Sequence, residues 1–473
     1  MIYYFQLFKR VLVLFSSYEF IFAFLPFTFF IYFYLNHKNL TELSKLFLVL
    51  SSLFFYSWWN IVYLPLILIS LFFNYVMGSF LTKGHTFSKK SVLTFGIIAN
   101  LSLLGYFKYS DFFIENINLL TGSEIGLLHL ALPLAISFFT FQQVAYLVDS
   151  YKKETKEYDF LNYAIFVTYF PQLIAGPIVH HKEMMPQFSA SSTKSLNYSH
   201  ISLGLFIFSI GLFKKIVIAD TFAVWATAGF DTTTSLQFFE AWATSLSYTF
   251  QLYFDFSGYT DMAIGASLLF NIRLPINFNS PYKATNIQDF WRKWHITLSR
   301  FLKDYIYIPL GGNRKGEIRT YANLFTTFLL GGIWHGAGWT FIFWGFMHGM
   351  ALVIHRAWSQ LGFKMPVLLA WFLTFNFVNI SWVFFRAREW EDALKVLKGM
   401  VDFSDFTFGL NSLEAFIILL GFVIILGFKN SMYYYEHKFT FTAKQALIMI
   451  AAMSISIYAI RLRNSSEFLY FNF

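Results

Sequence analysis

Apolar runs of membrane-spanning length, separated by short polar breaks, fill most of the chain from about residue 21 to residue 461. The first four fall at about 21–36, 43–59, 61–81 and 91–108, with breaks such as Asn36-His37-Lys38 and Lys83-Gly84-His85. A hydrocarbon core roughly 30 Å thick takes about 20 helical residues to cross, so each run is a candidate span. Between Leu127 and Leu147 an apolar run holds Pro133, Gln142 and Gln143, the pattern of a kinked or re-entrant segment. Further runs at about 160–175, 201–224, 241–270, 320–334, 339–356, 366–385, 412–428 and 443–461 bring the expected total to about twelve, all helical. No internal repeat interrupts them, and no polar stretch is long enough to fold alone. The expected architecture is one all-α polytopic membrane domain over residues 1–473. Residues 1–13 read as an upstream extension or as part of a first span. No signal-peptide cleavage site follows, so the first apolar segment is expected to stay as an anchor.

Residues 271–319 lack a plain span and carry nine Lys and Arg against three Asp and Glu. The positive-inside rule places this block in the cytoplasm, where a donor bearing several phosphates would dock. Thr285 and Gln288 form a capping box there. Ile287, Phe290, Trp291, Trp294, Leu298, Phe301, Leu302 and Tyr305 then share one helical face, opposite Asp289, Arg292, Lys293, Arg300 and Lys303. His295 flanks the apolar stripe of this amphipathic helix. The alternative is a surface helix docked on the membrane, with His295 satisfied by a neighbouring carbonyl.

The apolar run from Asn323 to Ile333 ends in Trp334-His335-Gly336-Ala337-Gly338-Trp339. Glycines on both sides of His335 allow close approach and can break the helix. Unwound backbone at membrane depth survives only where protein or a water-filled cavity covers it. An ionisable group there costs on the order of 3 kcal/mol, which marks His335 as functional. Glycine-mediated packing around a hydrogen-bonded histidine is the competing account. His348, in Trp344-Gly345-Phe346-Met347-His348-Gly349, reads as a supporting residue on a small-residue packing face.

Composition narrows the choices. The chain is 57% hydrophobic and 13% charged, with mean hydropathy +0.53, which excludes a soluble globular protein. Aromatics at 22% exceed what an interfacial belt needs, so many must pack between helices or face lipid. The formal charge of +9 does not signal nucleic-acid binding, because the basic residues lie in loops between apolar runs, where they set topology or meet lipid headgroups. With no cysteine, disulfides, thiolate metal sites and a cysteine nucleophile are excluded. His180 and His181 have no third ligand at metal spacing and read as a solvated interface; no metal site is expected. Ser189–Ser195 reads as a flexible loop, and Lys214 and Lys215 as snorkelling to an interface. Asp255 and Asp261 are either a proton relay or metal site, or partners of helix ends exposed around Gly258, with the last favoured.

Several motifs in fixed order resemble those of the membrane-bound O-acyltransferase superfamily. Within it they resemble the bacterial branch that acetylates polysaccharides outside the cell. They are Ser17-Tyr18-Glu19-Phe20, Gly176-Pro177-Ile178, Tyr253-Phe254-Asp255-Phe256-Ser257-Gly258-Tyr259, Asp289-Phe290-Trp291-Arg292-Lys293-Trp294-His295 and Trp334-His335-Gly336. The resemblance implies a bundle with a pocket or tunnel through the membrane, His335 as catalytic base, and a second polar site residue at His295, which is asparagine in some branches. It implies acetyl-coenzyme A as donor, with Arg292 and Lys293 as phosphate contacts and Trp291, Trp294, Trp334 and Trp339 walling the pocket. A peptidoglycan acceptor is expected first and alginate or another exopolysaccharide second. The expected partner is a periplasmic SGNH-type O-acetyltransferase, and the expected site the bacterial inner membrane. The aromatic tail at residues 462–473 resembles the end of the small partner protein of D-alanyl-transferring relatives, which makes Tyr470 a candidate acyl relay; an aromatic interface anchor is the alternative. A proton-coupled transporter is the rival class, but it predicts repeated halves with matching broken helices, which the sequence lacks.

Overall fold

The computed structural model describes residues 14–83, 88–155, 159–174, 176–404, 409–462 and 468–469. Among them every regular element is helical. The first is a π-turn, Glu19–Phe24, continuing into α1 (Leu25–His37) and followed by α2 (Thr41–Trp59), α3 (Leu64–Lys83) and α4 (Lys89–Thr121). Shorter elements come next: α5 (Ile136–Tyr151), α6 (Phe160–Thr168), α7 (Phe170–Leu173) and α8 (His181–Ser189). The central pair is α9 (Tyr198–Phe213), which passes through a π-turn into α10 (Asp220–Thr227), and α11 (Phe238–Leu269). Then come α12 (Ile287–Trp291), α13 (Ile296–Leu302), α14 (Glu317–His335), α15 (Trp339–Gln360) and α16 (Val367–Arg386). The remainder is α17 (Trp390–Met400), α18 (Ser412–Gly427), α19 (Met432–Glu436) and α20 (Ala443–Leu462).

α11 is the axis of the bundle, buried almost end to end. It packs backbone to backbone on α9. A Cβ at Gly211 would lie 2.6 Å from the Gly258 carbonyl oxygen, and one at Gly265 would lie 2.6 Å from that of Gly204. Small residues let membrane helices approach this closely. α11 therefore runs unbroken through Gly258, and Asp255 and Asp261 have no exposed helix ends to satisfy. Lys214 meets Asp261 at 2.7 Å, and Lys215 meets Asp255 at 2.6 Å and Asp220 at 3.1 Å. The two lysines turn inward as ion-pair partners, and neither snorkels to an interface.

Seven stretches among the described residues are long and apolar enough to cross a membrane: 19–37, 61–83, 89–121, 198–232, 367–386, 412–436 and 443–462. The chain is an all-helical, multi-pass membrane protein. The breaks expected at 84–85 and the extension expected at 1–13 lie outside the described residues. α4 continues thirteen residues past Lys108, where its apolar pattern ends, because Asp111 and Asn118 hold the following loop: Leu128 and His129 N–H groups donate to Asp111, and Ile125 N–H donates to Asn118. The suspected re-entrant segment starts as that loop and turns helical only at Ile136, after which α5 is buried on nearly all sides.

Two further expectations are corrected. His180 and His181 are buried, because the turn after Gly176-Pro177 tucks α8 beneath α6, with the Phe166 ring 5.2 Å from that of His181. Burial first, and Arg300 second, push the His180 imidazole down to about 4, so it is neutral at physiological pH. Ser191–Thr193 is an ordered 3-10 turn, held by the Thr193 hydroxyl donating to the carbonyls of Gln187 and Ala190.

Candidate active site

His335 is the last residue of α14 and is 3% exposed. Gly336 leaves the helix with extended backbone, φ −160° and ψ 154°, so the histidine stands at a helix end inside the bundle. Its ring lies edge-on to Trp344 and Phe385, each at 5.1 Å between centroids. His295, Lys108 and His348 are its electrostatic neighbours. The two histidines singled out in the sequence, forty residues apart, therefore share one site.

His295 arrives there by a route the periodicity does not show. The single amphipathic helix expected from Thr285 onward is two short helices, α12 and α13, broken at residues 292–295. Backbone pairing with an irregular strand-like run is the cause: Asn279 N–H donates to the Lys293 carbonyl at 2.9 Å, and Ile296 N–H to that of Asn277 at 3.0 Å. Asn286, not Thr285, caps α12, accepting from Asp289 N–H at 2.8 Å. His295 itself sits at φ +43°, left-handed backbone that favours only a few residue types, histidine and asparagine among them. Its Nδ1 lies 3.1 Å from Asn277 Oδ1, which also accepts from Thr297 N–H at 3.2 Å. An atom facing a backbone N–H must be the amide oxygen, so Nδ1 of His295 carries the proton and Nε2 the lone pair. Phe256 stands perpendicular to the ring at 4.8 Å.

Two cavities meet α14, one along its middle turns and one just past its C-terminal end. The larger, about 880 Å³, is lined by Trp291, Arg292, Lys303, Arg314, Lys315 and Arg356 together with Leu324, Thr327 and Phe328 of α14. Five cationic side chains and no carboxylate stand in its wall. At its rim Arg356 holds the Glu317 carboxyl below the usual carboxylate range. The smaller, about 280 Å³, is lined by Lys108, Asp111, Leu130, Gly336, Ala337 and Phe341. Phe328, the last α14 residue in the larger cavity, precedes His335 by seven residues, a rise of about 10 Å at 1.5 Å per residue.

The other residues singled out divide clearly. Trp291 and Arg292 line the large cavity, whereas Lys293 pairs with Asp289 at 2.8 Å and does not. Trp334 stacks on Phe141 at 4.8 Å beside His335. Trp294 is buried behind the site among Phe278, Tyr282 and Trp382, and Trp339 is 61% exposed; neither lines either of these two cavities. His348 accepts from Trp291 Nε1 at 3.2 Å on Nδ1 and meets Ser381 Oγ at 3.0 Å on Nε2. Both ring nitrogens are committed, so His348 fixes the Trp291 wall and is no base. Tyr470 lies outside the described residues. Sequence reasoning missed Asn277, Lys108 and Tyr109; a lysine at the end of an apolar run was the available signal for the second.

Comparison with known proteins accords with this geometry. The sequence pattern of the membrane-bound O-acyltransferase family matches residues 4–387. The chain is 52% identical to a peptidoglycan O-acetyltransferase of Helicobacter pylori, over 98% of each chain. It is 39% identical to a probable alginate O-acetylase of Azotobacter vinelandii, over 89% of this chain and 86% of the other. A teichoic acid D-alanyltransferase of Bacillus subtilis is 27% identical over 54% of this chain and 69% of its own. The chain belongs to the membrane-bound O-acyltransferase family and is an acyltransferase.

Proposed function

We propose that this protein takes acetyl groups from cytoplasmic acetyl-coenzyme A and passes them across the bacterial inner membrane for O-acetylation of an extracytoplasmic glycan, peptidoglycan first. The observation that carries the proposal is His335, buried on the last turn of α14, a helix that lines a basic cavity through Leu324, Thr327 and Phe328 and reaches a smaller one at Gly336. The peptidoglycan relative, similar over 98% of both chains, supports that acceptor over alginate or another exopolysaccharide. The site would then lie in a tunnel through a bundle of about twelve spans, the seven apolar stretches plus less hydrophobic helices such as α14 and α15.

Acyl transfer needs a base for the acceptor hydroxyl and a polar group beside the thioester carbonyl. His335 takes the hydroxyl proton as the oxygen attacks the carbonyl carbon. The carbon–sulfur bond breaks, and the departing thiolate takes up that proton. His295, its tautomer fixed by Asn277, orients acceptor or carbonyl. Arg292, Lys303, Arg314 and Lys315 meet the donor's phosphates, with Lys293 a more distant contact, and Trp291 and Trp334 slow donor hydrolysis by excluding water.

The aromatic tail offers a route outward. Phe468 is fully buried, stacked on Tyr259 at 4.3 Å, and Leu469 N–H donates to Asp255 at 3.0 Å. Phe468 also meets Phe256, the residue that packs on His295. Tyr470 follows Leu469 directly in the sequence and is the acyl carrier of this proposal. Its hydroxyl takes the acetyl as an ester, which the nucleophile of a periplasmic SGNH-type O-acetyltransferase collects, and coenzyme A never crosses the bilayer.

Vesicles test the direction of transfer. Labelled acetyl-coenzyme A supplied outside inverted vesicles should label the protein, and right-side-out vesicles should stay unlabelled. Equal labelling from both sides would contradict the proposed direction.

A further inference from the structure

Two successive residues of α4 grip the end of α14, some 226 residues away in sequence. Lys108 Nζ donates to the Trp334 carbonyl at 2.6 Å and to the His335 carbonyl at 3.0 Å. Tyr109 Oη donates to the Ile333 carbonyl at 2.6 Å. The last carbonyls of any helix lack partners within it and carry the negative end of its dipole. Gly336 leaves α14 in extended backbone instead of a capping turn. The three orphaned carbonyls that frame His335 are thus satisfied from another helix, by one charge-assisted donor and one neutral one.

The ammonium has a second environment. Lys108 stands in the wall of the smaller cavity beside Gly336 and Ala337, with the Trp334 ring 5.7 Å away and Ser137 Oγ at 3.4 Å. A neutral side chain of the same length would fill this place at far lower cost in a membrane protein. An ionisable group kept at such depth points to function.

We infer that Lys108, seconded by Tyr109, is a positioning residue for acyl transfer. It locks the terminal turn of α14 so that the His335 imidazole holds one orientation against Trp344 and Phe385. The inference rests on His335 being the base. The cationic wall of the donor cavity comes from residues 292–315 and Arg356, none of which the clamp holds. Loss of the clamp therefore lowers kcat and spares the KM for donor, because a misplaced base can cost roughly 10²-fold in rate.

The test uses the full chain in lipid nanodiscs with acetyl-coenzyme A, comparing Lys108→Met, Lys108→Arg, Lys108→Gln and His335→Ala. Lys108→Met should lower kcat by about tenfold or more with donor KM within about twofold. Lys108→Arg, which keeps a charged donor, should recover most of the wild-type kcat. A smaller fall in Lys108→Met, an equal fall in Lys108→Arg, or a rise in KM matching the fall in kcat would overturn the inference. Should Lys108→Met fail to reach the membrane, Lys108→Gln is held to the same thresholds. If His335→Ala stays active, the reading of the base has failed. If His335→Ala is dead and Lys108→Met normal, the clamp alone has failed.

Discussion

His295 and His335 reach one site by opposite local means, one in left-handed backbone between two helices, the other on the last turn of a regular one. The second was legible in the sequence, since burying a histidine among glycines at the end of an apolar run is costly unless the residue serves a site. The first was legible only as a residue. Its φ of +43° follows from pairing with Asn277, eighteen positions earlier, which no periodicity records. That backbone would admit asparagine, which tolerates left-handed φ, whereas alanine would carry strain of about 1–2 kcal/mol. His295→Asn should therefore retain measurable transfer, whereas His295→Ala should lose about 10²-fold or more and unfold at lower temperature. Acetyl transfer and thermal melting of the two purified variants check this; equal activity of both would remove any role for the polar group.

At the scale of elements, the pattern found helices well and their breaks poorly. An apolar stripe from Ile287 to Tyr305 satisfies helical spacing whether or not the chain leaves the helix at Arg292. Backbone partners from 277–279 decide it. Asp255 and Asp261 were legible as costly buried carboxylates, but their lysine partners on the preceding π-turn were not, because pairing depends on how α9 seats against α11. The crossing of α14 and α15 shows what the glycines near His335 do. A Cβ at Gly332 would lie 2.5 Å from the Phe341 carbonyl oxygen and 2.8 Å from Gly345 Cα. Gly332→Ala should force the helices apart and cost about 1–3 kcal/mol, the usual range for overpacking. Gly105→Ala, on α4 with open space around it, should be neutral or stabilise by about 0.5–1 kcal/mol. Melting temperatures in detergent separate the two; comparable losses would contradict the close packing at Gly332.

Across the whole molecule, the chemistry is organised along α14, with a basic cavity against its middle turns and a small mixed one past its C-terminal end. The basic character of residues 271–319 was legible, and Arg292, Lys303, Arg314 and Lys315 gather in one wall as that charge suggested. The far end was not, because Lys108 and Gly336 come together only where side chains of α4 reach the last turn of α14. The buried seat of Phe468 ties the aromatic tail to the same centre through Phe256. Tyr470→Phe keeps the ring and removes the hydroxyl, so a relay predicts loss of glycan acetylation in cells with the protein still in the membrane. Normal acetylation would make Tyr470 an anchor. The central claim is that His335 is the base, and thioester cleavage by purified protein tests it most directly. His335→Ala should cleave acetyl-coenzyme A about 10²- to 10⁴-fold more slowly than the wild type, the span ascribed to a positioned base, while melting at a similar temperature. Cleavage at the wild-type rate by a folded His335→Ala protein would contradict it.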